Sequence, residues 1–114
     1  MKKIFITASG TEIGKTFVTQ TLIHQLRKST RSVRALKPVL TGVDKDNESS
    51  SDAGLLLNAL GLDVCSENIS SISPWCFKQP ISPDLAAVHE GTSIAFKDLL
   101  AFCEMHDELD ALLI

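Results

Sequence analysis

Residues 3–16 read KIFITASGTEIGKT, and this stretch decides the fold. Lys3 to Thr7 is a β-branched, apolar run of the kind found in strands covered on both faces. Gly10 and Gly14 break the run, and a helical stretch follows from Lys15 to about Lys28. Val18, Leu22 and Leu26 recur there at i, i+4 and i+8, with Ile23 widening the stripe, so one face can pack on a sheet. Arg27, Lys28 and Arg31 gather at the helix end, where cations suit its dipole. Val33 to Leu36 is a second strand, halted by Pro38. Strand, helix, strand in that order implies a parallel pair with a right-handed crossover.

The turn between strand and helix, Ala8 to Thr16 (ASGTEIGKT), has the context of a phosphate loop. Backbone N–H groups there converge on one concavity, and the positive end of the helix faces the anion. Gly14 has no Cβ to hold the phosphates off. Lys15 is expected to reach the outer phosphates of a nucleoside triphosphate, and the Thr16 hydroxyl to ligate magnesium. The bland alternative is a glycine turn before an amphipathic helix with an exposed lysine. The general pattern G-x-x-x-x-G-K-[ST] wants glycine at position 9; this chain has Ser9, with Gly10 one residue later.

Further along, Asp44 to Ser51 (DKDNESSS) reads as an exposed loop. A helix follows, capped by Ser51 or Asp52, with Leu55, Leu56 and Leu60 apolar and Gly61 as the stop. Ile69 to Phe77 is mixed, irregular or a short strand. Ser82-Pro83 opens a helix that Gly91 closes. Another helix is expected over about Ala95 to His106, burying Phe96, Leu99, Leu100 and Cys103, and Ala111 to Ile114 reads as a buried strand. The fold class is α/β: a P-loop NTPase-like parallel sheet flanked by helices. A chain ending on such a strand leaves one side of its sheet unfurnished. The expectation is that residues 1–114 are the N-terminal part of a single, truncated P-loop α/β domain.

Composition narrows the partners. With 114 residues, 44% hydrophobic and 22% charged, the chain has the balance of one globular domain. A net charge of −3 and few aromatics (five Phe, one Trp, no Tyr) argue against nucleic acid as a partner. No segment approaches the apolar length of a membrane span, and the start, MKKIFITASG, has too short an apolar run for a signal peptide. Three scattered cysteines, Cys65, Cys76 and Cys103, match neither a disulfide framework nor a zinc site and read as reduced, buried thiols. Cytoplasmic location is the expectation.

Four ordered segments resemble the N-terminal half of the dethiobiotin synthetase family. Thr11 to Thr16 match a loop resembling G-T-D-T-x-V-G-K-T, although Ala8 stands where the family has Gly and Gly10 where it has Asp. Lys37-Pro38-Val39 followed by Thr41-Gly42 resembles K-P-V-x-[ST]-G, and Ser51-Asp52-Ala53 resembles S-D-A. Pro80 to Pro83 with Ala86-Ala87 resembles P-x-S-P-x-x-A-A. The family's next segment resembles E-G-A-G-G, whose acidic residue helps hold magnesium, and Ile114 stands where it would begin.

The resemblance implies an ATP-dependent cyclo-ligase that acts on 7,8-diaminononanoate and CO2 (or bicarbonate). A substrate carbamate attacks the γ-phosphate, and the second amine closes the cyclic urea. It implies Lys15 and Lys37 as catalytic lysines bracketing the phosphoryl group. Glu12, Ile13, Gly14, Lys15, Thr16, Phe17 and Asp52 would bind ATP, and Thr16 and Asp52 would hold Mg2+. Thr41, Gly42 and Ser82 would meet the substrate, and the parent would be a homodimer. From the residues alone, Asp52 and Ser82 equally read as helix caps, Thr41-Gly42 as a simple turn, and Lys37 as a solvated strand-end lysine. The isolated chain is expected to turn over poorly. The rival readings are a partitioning-type switch ATPase, disfavoured because Gly10 stands where its signature lysine would be, and an inactive nucleotide-binding fragment.

Overall fold

The helix after the phosphate loop forms where its periodicity puts it: α1 spans Lys15–Lys28. The computed structural model describes residues 2–7, 14–42, 46–78, 85, 88, 90–91, 93–104 and 111–113. The face that α1 buries is turned one residue from the expected stripe. Thr19 and Ile23 are buried, whereas Val18 is 48% exposed. Thr19 can be buried cheaply because its hydroxyl donates to the Lys15 carbonyl at 2.8 Å.

The first ladder is parallel and runs β1 (Lys2–Ile4), β5 (Ala111–Leu113), β2 (Val33–Ala35). β1 and β2 are therefore parallel as expected but not adjacent, a correction to the simple strand–helix–strand pair. β5 lies between them, where an apolar strand has a ladder on both sides. Ile4, Leu113 and Ala35 stand in register, so the C-terminal ends of all three strands share one edge. Pro38 lacks the N–H that would continue β2. The chain passes instead into β3 (Val39–Thr41), which pairs in parallel with β4 (Trp75–Phe77) in a second ladder.

A 3-10 turn, Glu48–Ser50, leads into α2, Asp52–Ala59. The stretch Ile69 to Phe77, expected to be irregular or a short strand, does end in the short strand β4, but its first residues belong to a helix, α3 (Ser66–Ile72). Its serines and asparagine carry no apolar stripe; only Ile69 and Ile72 reach the core, and tertiary packing supplies what propensity does not. That core gathers Ile23, Ala35, Leu36, Leu40, Leu56 and Leu57 between the helices and the strands.

α4 spans Phe96–Glu104 and covers only part of the expected face, with Leu99 and Cys103 half-buried. Phe96 is 72% and Leu100 44% exposed. The helix turns so that Phe102 meets Trp75 edge to face, with ring centroids 6.0 Å apart. The helix opening at Ser82-Pro83 lies outside the described residues. Gly91, with φ 74° and its N–H on the Val88 carbonyl at 3.1 Å, fits the expected stop. The cysteines are free, as expected, but Cys65 and Cys76 are exposed rather than buried. Among the described residues, no helix is long and apolar enough to cross a membrane.

Candidate functional site

Three of the residues singled out in the sequence meet at the C-terminal edge of the first ladder. Thr16, in the first turn of α1, donates its hydroxyl to Asp52 Oδ1 at 2.9 Å. Lys37 Nζ stands 3.5 Å from Asp52 Oδ2. One carboxylate thus receives a hydroxyl on one oxygen and an ammonium on the other. The three residues are 15 to 36 positions apart in sequence, so the fold alone assembles them.

Each is held by its own element. Gly14 precedes α1 with φ 105° and ψ 13°, a left-handed conformation that suits glycine, and among the described residues nothing lies within 4 Å of where a Cβ would be. Among the described residues the first turn of α1 contains no acidic side chain and no side-chain cap, which suits the positive end of the helix dipole to an anion. Lys37 is anchored through its backbone: its N–H donates to the Ile72 carbonyl at 3.0 Å, and the Trp75 N–H donates to the Pro38 carbonyl at 3.2 Å. Asp52 opens α2, but Ser51 is the cap, its Oγ accepting from the Gly54 N–H at 3.1 Å. The alternatives left open for Asp52 separate here, because Ser51 does the capping and Asp52 faces Thr16 and Lys37.

α2 is also fixed at its far end. Gly61, φ 76°, closes a Schellman ending in which its N–H donates to Asn58 O at 3.0 Å and the Leu62 N–H to Leu57 O at 2.9 Å. Arg27 of α1 donates from Nη1 to the Ala59 carbonyl at 2.7 Å. The two helices are therefore joined at both ends, through Thr16–Asp52 and Arg27–Ala59.

A cavity of about 310 Å³ opens beside this group, with Lys15, Thr16 and Lys37 on its wall. The remainder of the wall is largely apolar, with Phe5, Ile6, Leu36, Val39, Leu56 and Leu99 contributing. In sequence these residues read as ordinary core positions, and no signal marks them as lining. Cys103 also lines it; partial burial pushes its thiol pKa up, Glu104 adds to the rise and Lys3 opposes it. Such a thiol stays protonated at neutral pH and is no nucleophile.

Phe17 is 71% exposed and does not line the cavity. Thr41 ends β3 and Gly42 follows it, with Gly42 at φ 71° and its carbonyl held by the Asn47 side-chain amide at 2.9 Å. In sequence Asn47 belongs to a polar loop, and its place four residues before the Ser51 helix cap is the one signal for it. Glu12, Ile13 and Ser82 lie outside the described residues.

The family model described as "AAA domain" matches residues 2–114. The chain belongs to this family. It is 50% identical over 107 residues to the ATP-dependent dethiobiotin synthetase of Methylobacterium nodulans, which covers 91% of this chain and 48% of that protein. The enzyme of the same name from Acidiphilium cryptum is 50% identical over 105 residues, covering 91% of this chain and 47% of the relative. That of Phenylobacterium zucineum is 45% identical over 100 residues, covering 88% and 43%. The dethiobiotin synthetase resemblance read from four short motifs therefore extends along the chain. The chain spans about half the length of the curated relatives it matches.

Proposed function

We propose that this chain carries the nucleotide- and phosphoryl-binding part of an ATP-dependent dethiobiotin synthetase. The single observation that carries the reading is the Thr16–Asp52–Lys37 convergence beside Lys15. The enzyme would close the ureido ring of dethiobiotin from 7,8-diaminononanoate, CO2 and ATP through a carbamate and its phosphoric anhydride. Half-length similarity to enzymes of that name supports it.

Transfer of a phosphoryl group to a carbamate asks little covalent chemistry of a protein and much positioning of negative charge. The α1 N-terminus would receive the phosphate oxygens on backbone N–H groups, and Lys15 would draw the tail of the triphosphate inward. Lys37, held by the Ile72 carbonyl and arriving from β2, would meet the migrating group from the opposite side. The exchange of Asp52 for a phosphate oxygen as Lys37's partner needs only a short ammonium movement. The apolar wall of the cavity would exclude the water that competes for the phosphoryl group.

Thr16 and Asp52 fit Mg2+ as a pair of hard oxygen donors 2.9 Å apart. Among the described residues Thr16 and Asp52 would be the protein's donors, with phosphate oxygens and water among the further ligands. Bound there, the ion would neutralise charge on the β- and γ-phosphates. Glu12, Ile13 and Phe17 would line the nucleotide, and Thr41, Gly42 and Ser82 the substrate. A cytoplasmic homodimer, of which residues 1–114 form the N-terminal part of a single domain, completes the proposal.

The test is phosphate release by the full-length parent. It is expected only when diamine and bicarbonate are both supplied, and Lys37→Ala should abolish it while ATP still binds. Turnover that ignores the diamine and responds to DNA or membrane vesicles would instead support a switch ATPase.

A further inference from the structure

Asn47 joins two parts of the site that the sequence leaves unconnected. Its side-chain amide donates to the Gly42 carbonyl at 2.9 Å, at the end of β3. Its own carbonyl accepts the Ser51 N–H at 3.0 Å and the Ser50 N–H at 3.2 Å, at the threshold of α2. Ser51 caps α2, and the next residue is Asp52. One residue therefore holds the Thr41-Gly42 corner with its side chain and the approach to Asp52 with its backbone.

We propose that Asn47 is a positioning residue, orienting Thr41 and Gly42 toward substrate and fixing them relative to Asp52. This rests on the reading of Thr41 and Gly42 as substrate contacts. The physical need arises at Gly42. Its φ of 71° is open to glycine, but glycine also visits most other conformations at little cost. β3 is only three residues long, so its ladder with β4 ends at Thr41 and holds nothing beyond it. A hydrogen bond on the Gly42 carbonyl selects one orientation of this corner. The Thr41 hydroxyl and Gly42 N–H are thereby fixed before a ligand arrives, which lowers the entropy lost on binding. The Asn47 amide is half-buried and spans five residues, so it acts across the loop rather than within a turn.

Lys15 and Thr16 lie in the first turn of α1, which Asn47 does not touch through this bond. The effect of losing it is therefore selective. Asn47→Ala should raise the KM for the diamine about five- to tenfold, the factor that one net hydrogen bond corresponds to, with the Kd for ATP changed less than twofold. Asn47→Asp keeps the shape but removes the donor and must behave like Asn47→Ala. In parallel, 15N relaxation should show greater amplitude of motion at Thr41 and Gly42 in both variants, with Lys15 and Thr16 unchanged. An unchanged diamine KM together with unchanged relaxation would overturn the proposal, as would wild-type behaviour of Asn47→Asp. Loss of stability without either selective effect would leave Asn47 a purely structural residue and overturn it equally. If wild-type protein ignored the diamine, the dethiobiotin reading would fail, and the relaxation arm would still decide whether Asn47 orients the corner.

Discussion

Replacing Gly54 by alanine sets two opposing effects against each other. Gly54 lies inside α2, where helix propensity alone favours alanine by about 1 kcal/mol. The tertiary surroundings oppose it. A Cβ on Gly54 would collide with the Glu48 carbonyl oxygen and stand 3.0 Å from the Ser49 carbonyl oxygen and 3.1 Å from the Glu48 carbonyl carbon. These are backbone atoms of the 3-10 turn, so no side chain can rotate away. The turn is also tied to the helix: Ser51 donates its hydroxyl to Glu48 O at 2.6 Å and accepts from the Gly54 N–H. Relief requires the turn or the first turn of α2 to shift by something on the order of 1 Å, at the upper end of overpacking costs, about 3 kcal/mol. Setting the propensity gain against that cost leaves a net loss of roughly 2 kcal/mol, or about 10 °C in Tm. Because Asp52 stands two residues upstream, the same shift should lengthen its 2.9 Å contact with Thr16 and weaken Mg·ATP binding. Urea denaturation and calorimetric titration with Mg·ATP measure the two effects. Asn58→Ala, at an exposed position of the same helix, serves as the control and should be neutral or stabilising. A Gly54→Ala protein as stable as wild type would refute the pinned 3-10 turn and the route from it to Asp52.

Thr30 ends α1 at φ 55°, a conformation unfavourable for a β-branched residue, so Thr30→Gly should raise stability by about 0.5–1 kcal/mol in urea; a fall would contradict the strain argument. Arg27→Ala removes the 2.7 Å bond to the Ala59 carbonyl and should cost about 1 kcal/mol, whereas Arg27→Lys should recover only part of it, because a single ammonium cannot reproduce the planar fork. Gly61→Ala meets Arg27 Nη2 at 2.8 Å and keeps an unfavourable φ, so it should destabilise by about 1–2 kcal/mol in the same assay. Burial raises the Cys103 pKa above the ordinary 9.0, so its alkylation rate should inflect above that pH and fall when ATP is added. The sign for stability follows: the folded protein holds this proton longer, so the contribution is intact below pH 9.0 and is lost as pH rises through the folded value. An inflection at or below 9.0 would place the thiol outside the cavity.

Local chemistry was legible in the sequence because it depends on neighbours along the chain. The start and length of α1, the glycine at its entrance, the stop at Gly61 and the choice of Lys15, Thr16, Lys37 and Asp52 all follow from propensity, capping, motif and resemblance. Whether Ser51 or Asp52 capped α2 could not be read, since either side chain satisfies the same N–H groups; the nearness of Thr16 and Lys37 to Asp52 decides it. α3 was missed because SENISSI carries weak helix propensity, and its two isoleucines gain their meaning only from the core they enter. The rotation of α1 and α4 away from their expected faces has the same cause: a stripe is read modulo one residue until Thr19 finds the Lys15 carbonyl and Phe102 finds Trp75. The insertion of β5 between β1 and β2 is a pairing between residues some 80 to 110 positions apart, which no local pattern encodes. Sequence thus singled out the candidate groups, and tertiary structure decided their distances, because separation in space is set by packing between elements and not by the order of residues within them.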